Sequence, residues 1–197
     1  MISRIDHISI AVKDYPKALY FFKDILGAVS GAGARNNDMK YHWQIFSFGD
    51  LSRLELITPL EENTFLSKFL NKNKYGGLHH ISLQTPDIQN AIKKLEAHNI
   101  PYFGYNEYGG FWKEIFIHPK DAFGVLIQIA EFNPDDWLDQ SLVFPKGQKW
   151  AVVKNKEGCM LKVAHPGGGK VKLILNRSEV KKLISDLEQS CQSTLNG

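Results

Sequence analysis

The sequence predicts an α+β fold: two copies of a strand–helix–strands unit joined into a curved eight-stranded sheet cup, then a small C-terminal α+β extension. Three observations predict it. Aligning His7 with His80 lays Ile8-Ser9 on Ile81-Ser82 and Asp14 on Asp87, an offset of 73 residues. The same offset lays Leu54-Glu55-Leu56-Ile57 on Ile127-Gln128-Ile129-Ala130, and a fixed offset matching two distant segments marks an internal duplication. Third, the repeating order of elements stops after Phe132-Asn133-Pro134-Asp135-Asp136. Residues 1–134 are therefore expected to form one domain, with halves of about 1–73 and 74–134, and residues 135–197 an extension.

Each element has a local reason. Residues 4–12 alternate as a strand, with Ile8, Ile10 and Val12 predicted on the buried face and His7, Ser9 and Ala11 on the other. Pro16 opens a helix carrying Ala18, Phe21, Phe22 and Ile25, and Gly27 stops it. Residues 28–40 are rich in Gly, Asn and Asp and read as a loop. Tyr41 to Phe48 is an aromatic-rich strand; Gly49-Asp50 turns the chain into a strand from Arg53 to Thr58, and a short helix lies near Phe65 to Leu70. In the second half Leu78 to Leu83 is a strand, and Asp87 caps a helix with Ile88, Ala91, Ile92 and Leu95 on one face. Residues 102–110 read as a loop, and strands follow at Trp112–Ile117 and 125–130. One further, weakly marked strand per half completes the eight. In the extension, a hairpin spans Lys149–Val153 and Cys159–Val163, a strand covers Lys170–Leu175, and Ser178 is read as the cap of a helix with Val180, Leu183, Ile184 and Leu187 on one face. The chain from Gln192 onward is expected to fray.

The totals exclude several classes. An apolar content of 43% argues against disorder. No apolar run approaches the roughly 18 residues a membrane span needs, and the N-terminus lacks a secretory core. A net charge of +3 is too small to suggest nucleic acid, although most of the excess lysine lies after residue 140. Two cysteines, Cys159 and Cys191, build no framework, so a reducing cytoplasm is expected.

The repeat pairs chemistry as well as shape. It aligns His7 with His80, and Glu55 with Gln128. Strand parity puts His80 with Ser82 and Gln84, and His79 with Ile81 and Leu83, so His80 is the partner of His7. Glu55 lies between Leu54 and Leu56, where an unpaired carboxylate is costly to bury. A cation removes that cost. Two imidazoles, one carboxylate and one amide oxygen suit one divalent metal ion: Co, Ni, Mn, Zn or Fe. His118, before Pro119, is read as supporting a turn, and His42, His98 and His165 as surface residues.

At these residues the chain resembles the vicinal oxygen chelate superfamily of glyoxalase I, methylmalonyl-CoA epimerase and extradiol dioxygenases. The resemblance covers residues 4–132 and rests on Asp6-His7-Ile8, Leu54-Glu55-Leu56-Ile57-Thr58-Pro59-Leu60, Phe69-Leu70-Asn71-Lys72-Asn73, Gly77-Leu78-His79-His80-Ile81, and Phe116-Ile117-His118-Pro119-Lys120-Asp121 with Gly124-Val125-Leu126-Ile127-Gln128. It looks most like the epimerase branch. The resemblance implies paired βαβββ modules, metal ligands at His7, Glu55, His80 and Gln128, and a homodimer. It also implies an isomerase or lyase acting by proton transfer α to a carbonyl, on a small molecule such as an acyl-CoA thioester. The chain departs from the epimerase pattern by carrying Glu55 where that pattern has Gln and Gln128 where it has Glu. The first-half strand also lacks the pattern's acid. If the two halves have exchanged roles, the catalytic carboxylate moves to Glu114, which the offset of 73 pairs with Tyr41, and Glu55 is the second candidate. Gln128 is excluded, since an amide takes up no proton at neutral pH. Two alternatives compete: an Fe(II) dioxygenase using His7, His80 and Glu55, and a metal-poor binding protein whose cup is lined by Trp43, Tyr102, Tyr105, Phe111 and Trp112.

Overall fold

The computed structural model describes residues 2–193 apart from Asp50 and Pro166. Asp50 of the expected Gly49-Asp50 turn, Pro166 of the glycine loop and the last four residues of the expected frayed tail lie outside the described residues. The chain separates into residues Met1–Asp139 and Gln140–Gly197, so the boundary follows Trp137 and Leu138 rather than Pro134.

The first unit holds β1 (Arg4–Ala11), α1 (Tyr15–Leu19) running on as a π-helix (Tyr20–Ile25), β2 (Val29–Asn36), β3 (Tyr41–Ser47), β4 (Arg53–Pro59) and α2 (Phe65–Lys72). Its second half holds β5 (Gly77–Gln84), α3 (Ile88–Ala97), β6 (Phe103–Tyr108), β7 (Trp112–Ile117) and β8 (Leu126–Phe132). The eight strands form one curled sheet in the order β2-β3-β4-β1-β5-β8-β7-β6. β1 and β5 are antiparallel at its centre, and each is parallel to the last strand of its own half, β4 or β8. That is the paired βαβββ arrangement expected from the repeat.

Residues 28–40 and 102–110 contain edge strands where loops were expected. β2 carries Gly31 and Gly33, and β6 carries Gly104 at a φ of +67°. These edges need glycine where backbone passes close by: a Cβ on Gly31 would lie 2.4 Å from the Trp137 carbonyl oxygen. β2 is further tied down by the Gln44 side chain, whose Nε2 donates to the carbonyl of Gly31 at 2.7 Å. The register of β2 slips between Ser30 and Gly33, and that of β6 between Phe103 and Asn106, again 73 residues apart. The duplication therefore extends to the bulges.

α1 and α3 cover one face of the sheet. Tyr15, Ala18, Leu19 and Phe22 pack on Phe46, Leu54 and Leu56, while Ile88, Ala91 and Ile92 of α3 pack on Ile115, Ile117 and Ile129. Asp87 caps α3 by accepting from the Asn90 N–H at 2.9 Å. A third cluster joins Ala11 and Ile57 to Leu66 and Leu70 of α2. On β1 the expectation is reversed. His7, Ser9 and Ala11 are the buried face, whereas Ile8 is 44% exposed and Ile10 and Val12 are half-buried. β1 sits between the two helix-covered regions, so its apolar face is only partly roofed, and its polar face turns into the cup.

The second unit is a three-stranded antiparallel sheet, in the order β11-β10-β9, from β9 (Trp150–Lys154), β10 (Gly158–Ala164) and β11 (Lys170–Asn176), with α4 (Arg177–Ser193). The cap of α4 is Asn176 rather than Ser178: Asn176 Oδ1 accepts from the N–H groups of Ser178 and Glu179 at 2.9 and 3.0 Å.

Leu66 and Ile115 are fully buried in separate clusters. Leu66→Ala and Ile115→Ala should each cost about 2–5 kcal/mol in urea denaturation, and the equivalent change at half-exposed Leu187 less than about 0.5 kcal/mol.

Candidate metal centre

Three neighbouring strands deliver the central side chains. Ser9 lies beside Glu55 across the β1–β4 ladder and beside His80 across the β1–β5 ladder. Imidazole and carboxylate atoms of His7, Glu55 and His80 lie within 4.8 Å of one another. Glu55 Oε2 is 3.8 Å from His7 Nε2 and 3.5 Å from His80 Nε2, and all three residues are buried. Gln128, on β8, is also buried and lines the same cavity as His7 and Glu55.

The polar accounting of these residues is incomplete in one direction only. His7 Nε2, Glu55 Oε2, His80 Nε2 and Gln128 Oε1 are each buried without a hydrogen-bond partner among the described residues. The other ends of three of them are engaged. His7 Nδ1 meets Asp6 Oδ2 at 2.8 Å, His80 Nδ1 meets His79 Nδ1 at 3.0 Å, and Gln128 Nε2 donates to Glu114 Oε2 at 2.7 Å. Each unpartnered atom can offer a lone pair, and buried lone pairs facing no donor are costly. A divalent cation satisfies them together, so the donor set fits a metal ion.

Two bulges build this arrangement. The β1–β5 register passes from Ile5 to His7, skipping Asp6, and from Ser9–His80 to Ile10–Leu78, skipping His79. The offset of 73 relates Asp6 to His79. In each half, then, the residue before the histidine leaves the ladder and contacts that histidine's Nδ1. The bulge also overturns the parity expected of His79, whose ring packs on Phe65 and Phe69 of α2 at 5.8 and 5.1 Å. Asp6 is held further by Arg4 and by Arg53, whose Nη1 lies 3.3 Å away. Burial alone would raise the Asp6 carboxyl, but His7, Arg53 and Arg4 together hold it below the usual carboxylate range. Burial pushes the Glu55 carboxyl up, opposed by His7 and reinforced by Glu114. Burial, then the neighbouring His7 and His79, pushes His80 well down, and burial pushes His79 down to about 4.

Glu114 is buried and lines the cup. Its Oε2 accepts from Gln128 and, at 2.8 Å, from Trp112 Nε1; its Oε1 accepts from Asn106 Nδ2 at 3.2 Å. Neighbouring Lys113 points elsewhere, to Glu131 at 3.0 Å. The counterpart of Glu114 in the first half is Trp43, not Tyr41. Trp43 pairs with Ile57, two residues after Glu55, as Glu114 pairs with Ala130, two residues after Gln128. The β7–β8 hairpin is two residues longer than β3–β4, which breaks the constant offset there.

The cavity has a volume of about 500 Å³, within the usual range for small-molecule sites. Trp43, Phe111 and Trp112 line it, together with Tyr41, Tyr108 and Trp137. Tyr102 and Tyr105, expected in the wall, are engaged elsewhere: Tyr102 packs on the α3 core and bonds Glu96, and Tyr105 bonds Glu107. His118 supports its turn by accepting from the Lys120 N–H at 3.2 Å. His42, expected at the surface, is half-buried edge-on to Tyr15. Sequence reasoning missed Asp6, Asn106 and Trp137. Asp6 was findable as the repeat partner of His79, but no repeat or spacing marks Trp137.

Comparisons with known proteins agree with this geometry. A family model for the glyoxalase/bleomycin resistance protein/dioxygenase superfamily matches residues 6–116. The chain is 33% identical over 132 residues to the human mitochondrial methylmalonyl-CoA epimerase, covering 66% of this chain and 74% of that protein. It is 35% identical over 136 residues to the ethylmalonyl-CoA/methylmalonyl-CoA epimerase of Cereibacter sphaeroides, covering 66% and 99%. Among solved structures, the methylmalonyl-CoA epimerase of Mycobacterium tuberculosis matches with a TM-score of 0.61 at 27% identity, covering 68% of this chain and 90% of that one. A Streptomyces coelicolor methylmalonyl-CoA epimerase in complex with 2-nitronate-propionyl-CoA matches with a TM-score of 0.59 at 26% identity, covering 67% and 99%. With its duplicated βαβββ sheet and the buried His–Glu–His cluster inside it, the chain belongs to the glyoxalase/bleomycin resistance/dioxygenase, or vicinal oxygen chelate, superfamily.

Proposed function

We propose that this chain is a metal-dependent isomerase that moves the proton α to the carbonyl of an acyl-CoA thioester, as methylmalonyl-CoA epimerase does. One observation carries the reading: three buried, unpartnered ligand atoms, on His7, Glu55 and His80, lie within 4.8 Å of one another, and the cavity they share with Gln128 holds a buried carboxylate, Glu114, bonded to the Gln128 amide. His7, Glu55, His80 and Gln128 would hold one divalent ion, of Co, Ni, Mn, Zn or Fe. Bound there, it would supply positive charge against the negative charge that develops on the acyl oxygens. The relatives named epimerases and the solved structure holding an acyl-CoA analogue support this substrate class.

The rest of the chemistry falls to the chain's own side chains. Glu114 Oε2 is occupied by two donors, while Oε1 receives only the longer contact from Asn106, so Oε1 is the oxygen available to take the α-proton. Asn106, Trp112 and Gln128 fix the carboxylate's rotamer. Glu55 is the second carboxylate, in the other half of the duplicated frame. If Glu55 leaves the metal during turnover and carries a proton, returning it to the opposite face inverts the α-carbon, whereas a proton returned by Glu114 restores the starting configuration. Aromatic walls keep water from competing with these transfers.

A homodimer is supported by the apolar face of β1 and β5, where Ile5, Ile8 and Leu78 remain 62%, 44% and 48% exposed. Cys159 and Cys191 form no disulfide, as suits a protein of the cytoplasm. No helix among the described residues is long and apolar enough to cross a membrane.

Elemental analysis of the 197-residue chain should find about one divalent ion per chain. His80→Ala should lose it, while His79→Ala should keep it with an affinity lowered roughly tenfold. Metal retained in His80→Ala but lost in His79→Ala would refute the ligand assignment.

Glu114→Gln should slow α-proton exchange in D₂O by roughly 10²–10⁴-fold with the metal still bound. Exchange at the wild-type rate in Glu114→Gln, but not in Glu55→Gln, would make Glu55 the base.

The metal-free protein should lose stability on acidification. His79 is pushed down to about 4 from an ordinary 6.5, so the unfolded chain binds more protons between those values. Stability should therefore fall as pH drops from 6.5 towards 4, read as a falling urea midpoint, and His79→Phe should flatten that dependence.

A further inference from the structure

Polar groups line both halves of the cup, Arg35, Asn36, Asn37 and Asp38 in the first and Glu114 and Gln128 in the second, and indole rings lie among them. On the second-half side Gln128 and Glu114 stand together, and in the first half the place equivalent to Glu114 is taken by Trp43. Beside it stands Trp137, which belongs to neither repeat. It arrives on the short 3₁₀ turn Pro134–Trp137 after β8 and reaches back to the first half. Arg53 Nη2 donates to the Pro134 carbonyl at 3.1 Å, and Gly31 leaves room for the Trp137 carbonyl, which a side chain there would displace.

Trp137 bridges the halves. Its ring lies 5.7 Å from Trp43 and 4.9 Å from Trp112, edge-on to the latter, and 6.2 Å from Phe111. Trp112 is pinned from behind by Phe132, stacked at 4.5 Å, and its indole N–H is committed to Glu114. Trp43, Trp112 and Trp137 are half-buried, and all three line the cavity. Ring surface facing an open cavity is surface that only a bound apolar group removes from water. A methyl group is too small to cover three indoles. A flat ring fits edge or face against them.

We infer that the cup selects thioesters whose α-carbon carries an aromatic or similarly flat apolar substituent larger than methyl, with Trp43 and Trp137 as the specificity-determining residues. This rests on the isomerase reading above, because that reading puts the α-carbon beside Glu114 and so leaves Trp43, at the equivalent place in the other half, and Trp137 next to it, for the substituent.

The test uses the full chain with 2-methyl-, 2-ethyl- and 2-benzylmalonyl-CoA, following α-proton exchange in D₂O by NMR and binding by tryptophan fluorescence. The benzyl compound should exceed the methyl compound in kcat/KM by about tenfold or more. Trp43→Leu and Trp137→Leu, changes on separate elements, should each move the benzyl-to-methyl ratio towards one. A wild-type ratio of one or less overturns the inference whether or not either variant folds, and so does an unchanged ratio in both variants. If Trp137→Leu weakens free coenzyme A as much as benzylmalonyl-CoA, the indoles serve the nucleotide and the inference is likewise overturned. Tight binding of benzylmalonyl-CoA with no exchange of any thioester would instead sink the isomerase reading and leave the aromatic site standing.

Discussion

A carboxylate and two imidazoles cannot be buried together in a sheet with their lone pairs unanswered, and much of the first unit follows from that constraint. Glu55 lies inside β4, a strand whose other side chains are mostly apolar and buried. Its Oε2 faces the Nε2 atoms of His80 and His7 at 3.5 and 3.8 Å and has no hydrogen-bond partner among the described residues. The surrounding structure keeps these atoms turned inward by holding the opposite ends of His7, His80 and Gln128. Asp6, His79 and Glu114 do that holding, and none can be replaced by an apolar residue without freeing a ring or an amide to rotate.

Duplication makes the constraint cheap to satisfy, and divergence between the copies makes it directional. Two equivalent bulges put a polar residue behind each histidine, yet one copy uses a carboxylate and the other an imidazole. Two equivalent strands flank the centre, yet one presents Trp43 and the other Glu114. The four central residues have approximate two-fold symmetry, whereas the walls around them do not. The two sides of the cup therefore differ, with Glu114 at the place that Trp43 takes in the other half.

The two faces of the sheet divide the labour. The helix-bearing face supplies the apolar clusters around Phe46, Leu56, Ile88 and Ile115, and the cup face carries the polar cluster. Where the helices stop short, over β1 and β5, Ile5, Ile8 and Leu78 are left exposed opposite the histidines. The same two strands thus bear the candidate centre on one face and exposed apolar side chains on the other.

The sequence alone determined the duplicated fold and singled out His7, Glu55 and His80, whose ligand atoms the fold brings within 4.8 Å of one another, because a constant spacing of 73 residues survives in the chain as readily as in space. It also singled out Glu114, as the acid on the strand beside Gln128. The edge strands β2 and β6 were illegible. Their cohesion comes from partners such as Gln44, and their glycines serve close backbone approaches, so neither leaves an alternating apolar pattern. The buried face of β1 was misjudged because alternation shows that two faces exist but not which one the helices cover. Tertiary structure alone decided the bulges at Asp6 and His79, the pairing of Glu114 with Trp43's place rather than Tyr41's, and the arrival of Trp137 in the cup. Each depends on ladder register or on a contact between residues far apart in the chain, and local spacing encodes neither.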